Sequence, residues 1–238
     1  MSARTKSSRP SRTPVPPKES PLSDIRTRRR VARREQSRRD ILDAAERVFG
    51  EDGIHNGSVR RIAELSGFSP GAIYLFFENK ADLVTNTFDR RGKEWCDAIG
   101  AIAQGNASPL ARLHEVMDWV ITFLAENPHF RAVLSQVSQG SMVAGYSLAG
   151  RSTDDGYFSS IMTAIAGMID EGQVRGDIRS GDPRSLAHLF SVLLNEYALL
   201  DTAPGIGKLT TAQFHEFVGG ALRVATQVSV HNKEQSSD

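Results

Sequence analysis

Cysteine and long hydrophobic runs are scarce in this sequence, and both shortages narrow the class of protein. Cys96 is the single cysteine among 238 residues, which excludes an internal disulfide and a cysteine-based zinc cluster. No run approaches the ~18 apolar residues that a transmembrane helix needs. No apolar segment follows the basic N-terminus, as it would in a secretory signal. We therefore expect a soluble protein that acts in the cytoplasm and has no membrane partner.

Strand patterns are scarce as well. Apolar and polar residues do not alternate convincingly anywhere, whereas apolar residues recur at helical spacing from Ser37 to about Val230. The hydrophobic fraction of 39% is enough for a real core and too high for a wholly disordered chain. The length suits one large domain or two small ones. These patterns predict an all-α protein.

Several segments resemble part of a catalytic motif, but each lacks a residue that the motif requires. His114 and His215 each start a sequence like the zinc-binding helix of a metalloprotease, but Asp118 and Gly219 stand where the second histidine belongs. The stretch 205–209 resembles a phosphate-binding loop, yet it lacks the first glycine and the final serine or threonine of that motif. We therefore expect no enzyme, no metal site and no cofactor.

Positive charge is concentrated at one end of the chain. The first forty residues hold 13 basic and 4 acidic residues and the other 198 hold 16 and 24, although the net charge of the whole chain is only +1. A basic head on an acidic body suggests a polyanion partner at that end, and a solvated charged tail is the alternative. Five prolines argue against a continuous helix there: Pro10, Pro14, Pro16, Pro17 and Pro21. We therefore interpret residues 1–34 as a flexible basic arm.

Helix start and stop signals predict three short helices within residues 35–82. Ser37 and Asp40 resemble a capping box, although the first helix could begin earlier in the basic run. The other signals are stops at Gly53 and Gly67, caps at Ser58 and Asn79, and a start at Ser69-Pro70. The helix that Asn79 caps is expected to connect to a second domain and to run to about residue 102.

Similar signals divide the rest of the chain. Capping residues followed by proline or by a capping-box partner predict further helices near 109–126, 128–139, 155–174, 183–202 and 211–230. We assign residues 83–232 to a larger helical domain and residues 233–238 to a tail.

Two short helices joined by a tight glycine turn fit a helix-turn-helix. The second helix of that motif lies in a major groove about 12 Å wide, so its outward residues must be small or hydrogen-bonding. Its first turn holds small residues: Ser69, Pro70, Gly71 and Ala72. Four further residues could reach flanking phosphates: Tyr74, Lys80, Ser58 and Arg60. An ordinary three-helix packing unit explains the pattern equally well.

Longer motifs with specific spacing run through residues 35–95. They are Ile41-Leu42-Asp43-Ala44-Ala45 with Phe49, Arg61-Ile62-Ala63, Ser66-Gly67-Phe68-Ser69, and the run from Gly71 to Lys80. This segment resembles the DNA-binding domain of the TetR family of bacterial transcriptional regulators, whose signature is met by Tyr74, Phe77 and Lys80. The family often has histidine or tyrosine at Phe76, so one polar contact is absent here. The resemblance implies that these residues face DNA: Ser58, Arg60, Ser69, Pro70, Gly71, Ala72, Tyr74 and Lys80.

The basic arm gains a candidate role from this resemblance. Arginines just before a helix-turn-helix can enter the adjacent minor groove or add phosphate contacts. We therefore include Arg28, Arg29 and Arg30 among the predicted DNA contacts.

The resemblance also implies that residues 83–232 form a ligand-binding and dimerisation domain. Pocket candidates are Trp119, Phe123, Phe130, Tyr146, Phe158 and Met162, although plain core packing would use the same residues. The last two helices are apolar on more than one side, as an own core and a symmetry partner would require. Interface candidates are Leu193, Tyr197, Leu200, Phe217, Gly220 and Ala221, and a central position in a monomeric bundle is the alternative.

The sequence as a whole predicts a homodimeric, ligand-responsive transcriptional repressor. A small apolar effector is expected to release it from a near-palindromic double-stranded DNA operator. The alternative is a sequence-nonspecific architectural DNA-binding protein, which the basic arm alone would permit.

Overall fold

The computed structural model describes residues 21–141, 156–199 and 207–224. Helices dominate these ranges, and no strand occurs within them. In chain order the helices are α1 (Pro21–Asp52), α2 (Val59–Ser66), α3 (Pro70–Ile73), α4 (Lys80–Ala103), α5 (Pro109–Glu126), α6 (Pro128–Ser141), α7 (Tyr157–Val174), α8 (Pro183–Leu199) and α9 (Thr211–Leu222). Within the same ranges, none of the helices combines the length and apolar character that crossing a bilayer requires. The predicted all-α class is confirmed.

Side-chain caps fix where five of these helices begin. Oxygens of Ser58, Ser69, Asn79, Ser108 and Thr210 each accept a hydrogen bond from the backbone amide three residues on. These bonds satisfy amides that no carbonyl of the helix can reach. The five predicted helix starts are therefore confirmed.

The first helix begins earlier than the arm interpretation allows. It starts at Pro21, so residues 21–34 are helical and not a flexible arm, and Ser37 lies inside the helix without capping it. Pro21 is tolerated because the first helical position needs no amide donor. No proline follows before Pro70, so nothing in the basic run interrupts the helix. Residues 1–20 of the expected arm lie outside the described residues.

The last helix ends earlier than predicted. Its last residue is Leu222, not a residue near 230, because Arg223 has an extended backbone and forms an isolated antiparallel bridge with Ile178. The amide of Arg179 donates a 2.8 Å hydrogen bond to the carbonyl of Leu222. This bond satisfies a carbonyl at the helix end that would otherwise lack a partner. The expected helical residues 225–230 lie outside the described residues.

The buried residues form two apolar cores. The first joins α1, α2, α3, the start of α4 and one residue of α6: Ile41, Leu42, Ala44, Ala45, Val48, Phe49, Ile62, Ala63, Ile73, Phe77, Leu83, Val84 and Val133. The second is built from α4 to α9, with α7 packed against α4, α5 and α8. Phe88 of α4 packs against both cores. Helix α4 therefore connects the two cores.

Candidate nucleic-acid interface

The turn between α2 and α3 depends on one glycine. Gly67 has a φ of +74°, in the left-handed region that side chains disfavour, and its amide donates to the carbonyl of Ala63. Phe68 donates to the same carbonyl at 2.9 Å. The chain thereby reverses in two residues and places α3 against α2. This is the geometry of a helix-turn-helix.

Helix α3 has a buried face and an open face. Ile73 and Phe77, which follow one another by one turn, are almost completely buried. On the outer side, Ser69, Pro70 and Gly71 are exposed. The two buried residues thus hold the short helix in place by its inner side, and its first turn is presented to solvent.

Gly71 faces open space. Apart from its chain neighbours and the backbone of its own helix, no described atom lies within 4 Å of the position that a Cβ would take, and the φ of Gly71 is not in the left-handed region. The fold itself therefore gives no reason for glycine at this position. A surface that another molecule approaches closely does give a reason, because even a methyl group would hold its backbone away.

The other predicted DNA contacts lie on the surface or close to it. Ser58, Arg60 and Tyr74 are exposed, whereas Ala72 and Lys80 are half-buried. The Nζ atom of Lys80 donates a 2.7 Å hydrogen bond to the carbonyl of His55. This bond leaves two of the three ammonium protons for another partner.

Neighbouring arginines of α2 have different surroundings. Arg60 is highly exposed and pairs at 3.1 Å with Glu64 on the same helix, an interaction that competes weakly with other partners. Arg61 instead binds Glu51 at 2.6 Å and also binds Asp52, both at the end of α1. The hydrogen bond that Arg61 donates to Asp52 is the main cause that raises the pKa of Arg61. Arg61 therefore ties α2 to α1, and Arg60 faces outward.

One exposed residue of this surface was not predicted. Leu75 is 73% exposed, a fraction that only Val174, at 84%, exceeds among the described large apolar side chains. It follows Tyr74 in a turn beyond α3 and lies between that exposed tyrosine and the half-buried Phe76. Helical periodicity could not reveal it, because α3 spans four residues. An exposed leucine beside a tyrosine is suited to contact the apolar parts of a partner.

The predicted contacts Arg28, Arg29 and Arg30 belong to α1. All residues from Ile25 to Gln36 are exposed. The three arginines therefore lie on a helix. Because they are consecutive, the helix points their side chains in different directions, whereas a flexible arm would leave these directions free.

Aromatic side chains of the second core form a cluster. We call Trp95, Trp119, Phe123 and Phe130 the aromatic cluster; their ring centres lie 4.9–6.4 Å apart in five contacts. The indole Nε1 atom of Trp95 is buried and has no hydrogen-bond partner among the residues that the structure describes. Buried donors of this kind are normally paired. The cluster therefore offers apolar ring surface together with one unused donor.

The structure brings together three of the six pocket candidates. Trp119, Phe123 and Phe130 meet in the aromatic cluster, joined by Trp95, which the sequence did not single out as a pocket residue. Phe158 and Met162 are half-buried on α7, and the Met162 Sδ atom lies 3.6 Å from the hydroxyl of Ser191. Tyr146 lies outside the described residues. The spacing of Trp95 and Trp119 along the chain gives no signal that their rings meet.

An ion-pair network joins α4 to α1 beside the aromatic cluster. Glu46 is buried and accepts hydrogen bonds of 2.8 Å from Arg90 and from two nitrogens of Arg91. Burial raises the pKa of Glu46, but hydrogen bonds from Arg91 and then Arg90 outweigh that effect, so its pKa is lowered. The guanidinium of Arg91 also lies 5.5 Å from the ring centre of Phe123 and 6.0 Å from that of Phe130. The same arginine thus contacts both the first core's helix and the aromatic cluster.

Helix α6 makes a second connection of the same kind. Gln136 accepts a 2.8 Å hydrogen bond from the amide of Ile54 and donates at 3.2 Å to the carbonyl of Phe49. Gly50 of α1 approaches so closely that a Cβ there would lie 2.7 Å from the carbonyl oxygen of His129. Since Phe130 lies on the same helix, α6 connects the aromatic cluster to the end of α1.

The exposed face of α8 and α9 differs in part from the predicted interface. Leu193, Phe217, Gly220 and Ala221 are exposed, and so are Leu189 and Val192. The prediction that Tyr197 lies in the interface is wrong. Tyr197 is only 4% exposed, because its ring stacks on Phe214 at 3.9 Å and its hydroxyl donates to the carbonyl of Leu209. Tyr197 therefore belongs to the chain's own core. Leu200 lies outside the described residues.

Histidines of the two failed zinc motifs meet in the structure. The rings of His114 and His215 lie 4.9 Å apart, and Nε2 of His215 lies 3.1 Å from the Asp118 carboxylate. Burial, then the charges of His215 and Arg223, lower the pKa of His114, and Asp118 opposes them. No group able to hold a metal occurs among the described residues. His114 is instead a titratable group at the contact between α5 and α9.

Comparisons of the sequence with known proteins agree with the helix-turn-helix geometry. The family described as bacterial regulatory proteins of the TetR family matches residues 41–86. The fatty acid metabolism regulator protein of Bacillus subtilis is 26% identical over 141 residues, which are 59% of this chain and 70% of that protein. The transcriptional regulator TtgR of Pseudomonas putida is 42% identical over 62 residues, which are 26% of this chain and 30% of TtgR.

Solved structures share the fold over most of the chain. A transcriptional regulator from Saccharomonospora viridis in complex with choline has a TM-score of 0.66 and 22% identity, covering 80% of this chain and all of that chain (100%). The regulator FadR of Bacillus subtilis in complex with stearoyl-CoA has a TM-score of 0.60 and 22% identity, covering 76% of this chain and 95% of the FadR chain. The matched helix-turn-helix, the named relatives and the common fold place this chain in the TetR family of DNA-binding transcriptional regulators.

Proposed function

We propose that this protein is a homodimeric repressor that leaves a near-palindromic operator when a small, apolar effector binds its larger domain. The open first turn of α3 at Gly71 is the observation that carries the proposal, because the fold gives no reason for glycine at this position and a closely approaching duplex does. The domains would be residues 35–82 for DNA binding and 83–232 for regulation and dimerisation. The protein would act in the cytoplasm, where bacterial DNA lies.

We assign the proposed DNA contacts to the outer surface of α2, α3 and the start of α4. Ser69, Pro70, Gly71 and Ala72 would lie against base edges, because small side chains let the helix enter the groove. Ser58, Arg60, Tyr74 and Lys80 would bind phosphates and so fix the orientation of the protein on the duplex. Two copies would place their α3 helices about one helical turn, or about 34–36 Å, apart.

The aromatic cluster is the proposed effector site. Its ring surfaces suit an apolar body, and the unpaired Nε1 of Trp95 suits one hydrogen-bond acceptor on that body. Phe158, Met162 and Tyr146 would complete the site. Relatives of the same fold bind stearoyl-CoA and choline, which supports a small-molecule effector without specifying which one.

Coupling between effector and operator is proposed to pass through α4. This helix holds Lys80 at the DNA surface, Arg91 on Glu46 and Trp95 in the aromatic cluster. An effector that moves Trp95 would shift the helix that carries Lys80. Repression would then be lost by population shift, to the extent that the effector binds the released form more tightly.

Selection of bound duplexes from a randomised pool tests the DNA-binding proposal. The repressor predicts enrichment of a near-palindrome with half-sites about one helical turn apart. An architectural DNA-binding protein predicts no enrichment, and that outcome would establish the alternative. A Gly71→Arg variant is the control, because it should lose enrichment while its thermal unfolding stays close to that of the unsubstituted protein.

Tryptophan fluorescence tests the effector site directly. Trp95 and Trp119 are the two tryptophans of the chain, and both lie in the aromatic cluster. Binding of an acyl-CoA or a quaternary amine, used as probes, should change the emission and release the selected operator. Single-tryptophan variants Trp95→Phe and Trp119→Phe identify the responding ring. An effector that releases DNA with no change in emission would place its site elsewhere.

A further inference from the structure

The first part of α1 is a helix without a core to pack on. Every residue from Ile25 to Gln36 is exposed, and the first buried residue of the helix is Ile41. Most helices of globular proteins are stabilised by packing of an apolar face. This segment therefore lacks, within the described residues, the usual reason for being helical beyond its continuity with the buried part of α1.

Arginines are distributed unequally around this helix. At 100° per residue, Arg26, Arg29, Arg30, Arg33 and Arg34 fall within an arc of about 140°, and we call this arc the arginine face. Arg28 and Arg39 fall on the opposite side, close to Glu35, whose carbonyl accepts a hydrogen bond from the Nε of Arg39. Between Ile25 and Gln36 the charge of the helix thus has a direction, because Arg28 and Glu35 are the charged residues outside the arginine face.

Like charges repeat at helical spacing along the arginine face. Arg26 and Arg30, Arg29 and Arg33, and Arg30 and Arg34 are each four residues apart, which places their charges side by side and destabilises an isolated helix. A polyanion laid along this face would remove the repulsion. The helix would therefore gain stability from the same contact that it provides.

Duplex DNA is the polyanion that fits. The face from Arg26 to Arg34 is about 12 Å long, and duplex DNA carries one phosphate per about 1.7 Å of its axis. A helix that lies in a membrane surface would bury an apolar face. The exposed apolar residues Ile25 and Val31 lie on different sides of it, about 120° apart.

We propose that the Ile25–Asp40 part of α1 binds the phosphate backbone of duplex DNA as a helix, through the arginine face. Arg28 is thereby removed from the contact, whereas Arg29 and Arg30 remain in it. The inference rests on the proposed DNA-binding function, and it replaces a flexible arm in the minor groove by a helix on the backbone.

Two double variants of the full-length chain test the arginine face. Arg30→Gln with Arg33→Gln removes two charges from the centre of the face, and Arg28→Gln with Arg39→Gln removes two charges from the opposite side. Affinity for a random-sequence duplex of about 30 base pairs, long enough for two half-sites, is measured against salt concentration. The first pair should lower the salt slope by about 1.8, and the second pair should lower it by less than a third of that amount. Equal losses from the two pairs would overturn the proposal.

A helix-breaking variant tests whether the segment binds as a helix. Ala32→Pro leaves the charge unchanged and lies outside the arginine face, so a flexible arm would bind as before. The helix predicts a salt slope lowered by at least one and no gain of helical circular dichroism on adding the duplex. Unchanged affinity would overturn the proposal, as would tighter binding to vesicles of phosphatidylserine and phosphatidylcholine than to the duplex.

The outcome for the helix is separate from the outcome for the repressor. If the protein prefers a selected operator but the two double variants lose equal affinity, the proposed function stands and the arginine face does not bind DNA. A chain with the predicted face-specific losses but no preferred sequence has the helix contact and is not an operator-specific repressor.

Discussion

Arg91 of α4 joins Glu46 of α1 to the aromatic cluster. It donates hydrogen bonds of 2.8 Å from Nε and Nη2 to the Glu46 carboxylate, and its guanidinium lies 5.5 Å from the ring centre of Phe123. The two contacts hold one planar group between a buried acid and an aromatic ring. Under the proposed function, a change at the ring would alter the hydrogen bonds to α1, the helix whose buried residues support the DNA-binding surface.

Arg91→Gln should lower the free energy of unfolding by about 1.5–3 kcal/mol, because the buried Glu46 loses charge-assisted hydrogen bonds. Urea denaturation measures the loss. Arg47→Gln is the matched control, since it removes an exposed pair with Glu51, and such pairs contribute about 0–1 kcal/mol. A double-mutant cycle with Phe123→Leu should give a coupling of about 0.5–2 kcal/mol. Equal losses in the two arginine variants would contradict the special role of Arg91.

Gly71→Ala should leave the fold intact and weaken binding to the selected operator about tenfold or more, which corresponds to about 1.4 kcal/mol. The added methyl group meets no atom of the chain, and alanine favours a helix by up to about 1 kcal/mol over glycine. Gly67→Ala should do the reverse and destabilise the fold by about 1–2 kcal/mol, because of its left-handed backbone. Thermal unfolding and operator affinity are measured for both. Wild-type affinity in Gly71→Ala would mean that DNA does not approach this backbone.

Tyr74→Phe and Lys80→Ala should weaken DNA binding on operator and random sequences alike, because phosphate contacts carry no sequence information. Lys80→Ala should also lower the salt slope by about one. Lys93→Ala is the control, since it removes the same charge from an exposed position of α4 that pairs with Asp97. If Lys80→Ala and Lys93→Ala give the same slope, Lys80 does not bind a phosphate, and its bond to His55 is its whole role.

Local signals predicted most of the helix starts and all of the helix-turn-helix. Ser58, Gly67 and Ser69 act within three residues of themselves, through a cap or a left-handed turn, so their sequence context is sufficient. The beginning of α1 was missed for a related reason. Pro21 is one of the five prolines that argue against a helix in the basic run, but the first position of a helix accepts proline.

Contacts between distant residues could not be predicted in this way. Tyr197 has the same helical spacing whether it faces a partner or its own core, and only the position of Phe214 decides between them. Glu46 and Arg91 are separated by too many residues for any periodic pattern to connect them. The end of α9 depends on the bridge from Arg223 to Ile178, which is also a tertiary contact.

The stability of the α5–α9 contact should fall in weak acid. The pKa of His114 is lowered from its ordinary 6.5, first by burial and then by the charges of His215 and Arg223, against the opposing charge of Asp118. The unfolded chain therefore binds a proton at a higher pH than the folded chain does, so stability rises with pH in this window. The contribution is complete above about pH 6.5 and is lost as the pH falls below it.

Thermal unfolding between pH 7.5 and 5.5, both about one unit from the ordinary histidine pKa, measures this effect. His114→Gln should flatten the pH dependence, whereas His188→Gln, at an exposed position of α8, should leave it as it is. The pKa values of Glu51, Glu171 and Asp182 are lowered from ordinary values of 4.5, 4.5 and 3.8. These carboxylates therefore change stability only at a pH below the measured range. An unchanged slope in His114→Gln would assign the pH dependence to other groups.

Dimerisation through the exposed face of α8 and α9 underlies the proposed spacing of the two α3 helices. Leu189, Val192, Leu193 and Phe217 are exposed large apolar residues on these helices, and Gly220 and Ala221 would let a partner helix come close. An obligate homodimer should bury on the order of 2,000 Å² or more, mostly apolar. Sedimentation of the unsubstituted chain tests this premise, since a monomer of 26.0 kDa would remove the interface and the spacing together.

Ala221→Arg should produce a folded monomer that no longer binds the operator. Ala221 is exposed in the single chain, so the arginine leaves the monomer fold intact, but in the dimer it would bury a charge without a partner at a cost of several kcal/mol, on the order of 3–5. Ala101→Arg is the matched control, because it adds the same charge at an exposed alanine of α4. Sedimentation, circular dichroism and operator affinity are measured for both variants. A dimeric Ala221→Arg chain with unchanged operator affinity would place the interface on another surface, because an arginine at the centre of this face cannot be accommodated between two close helices.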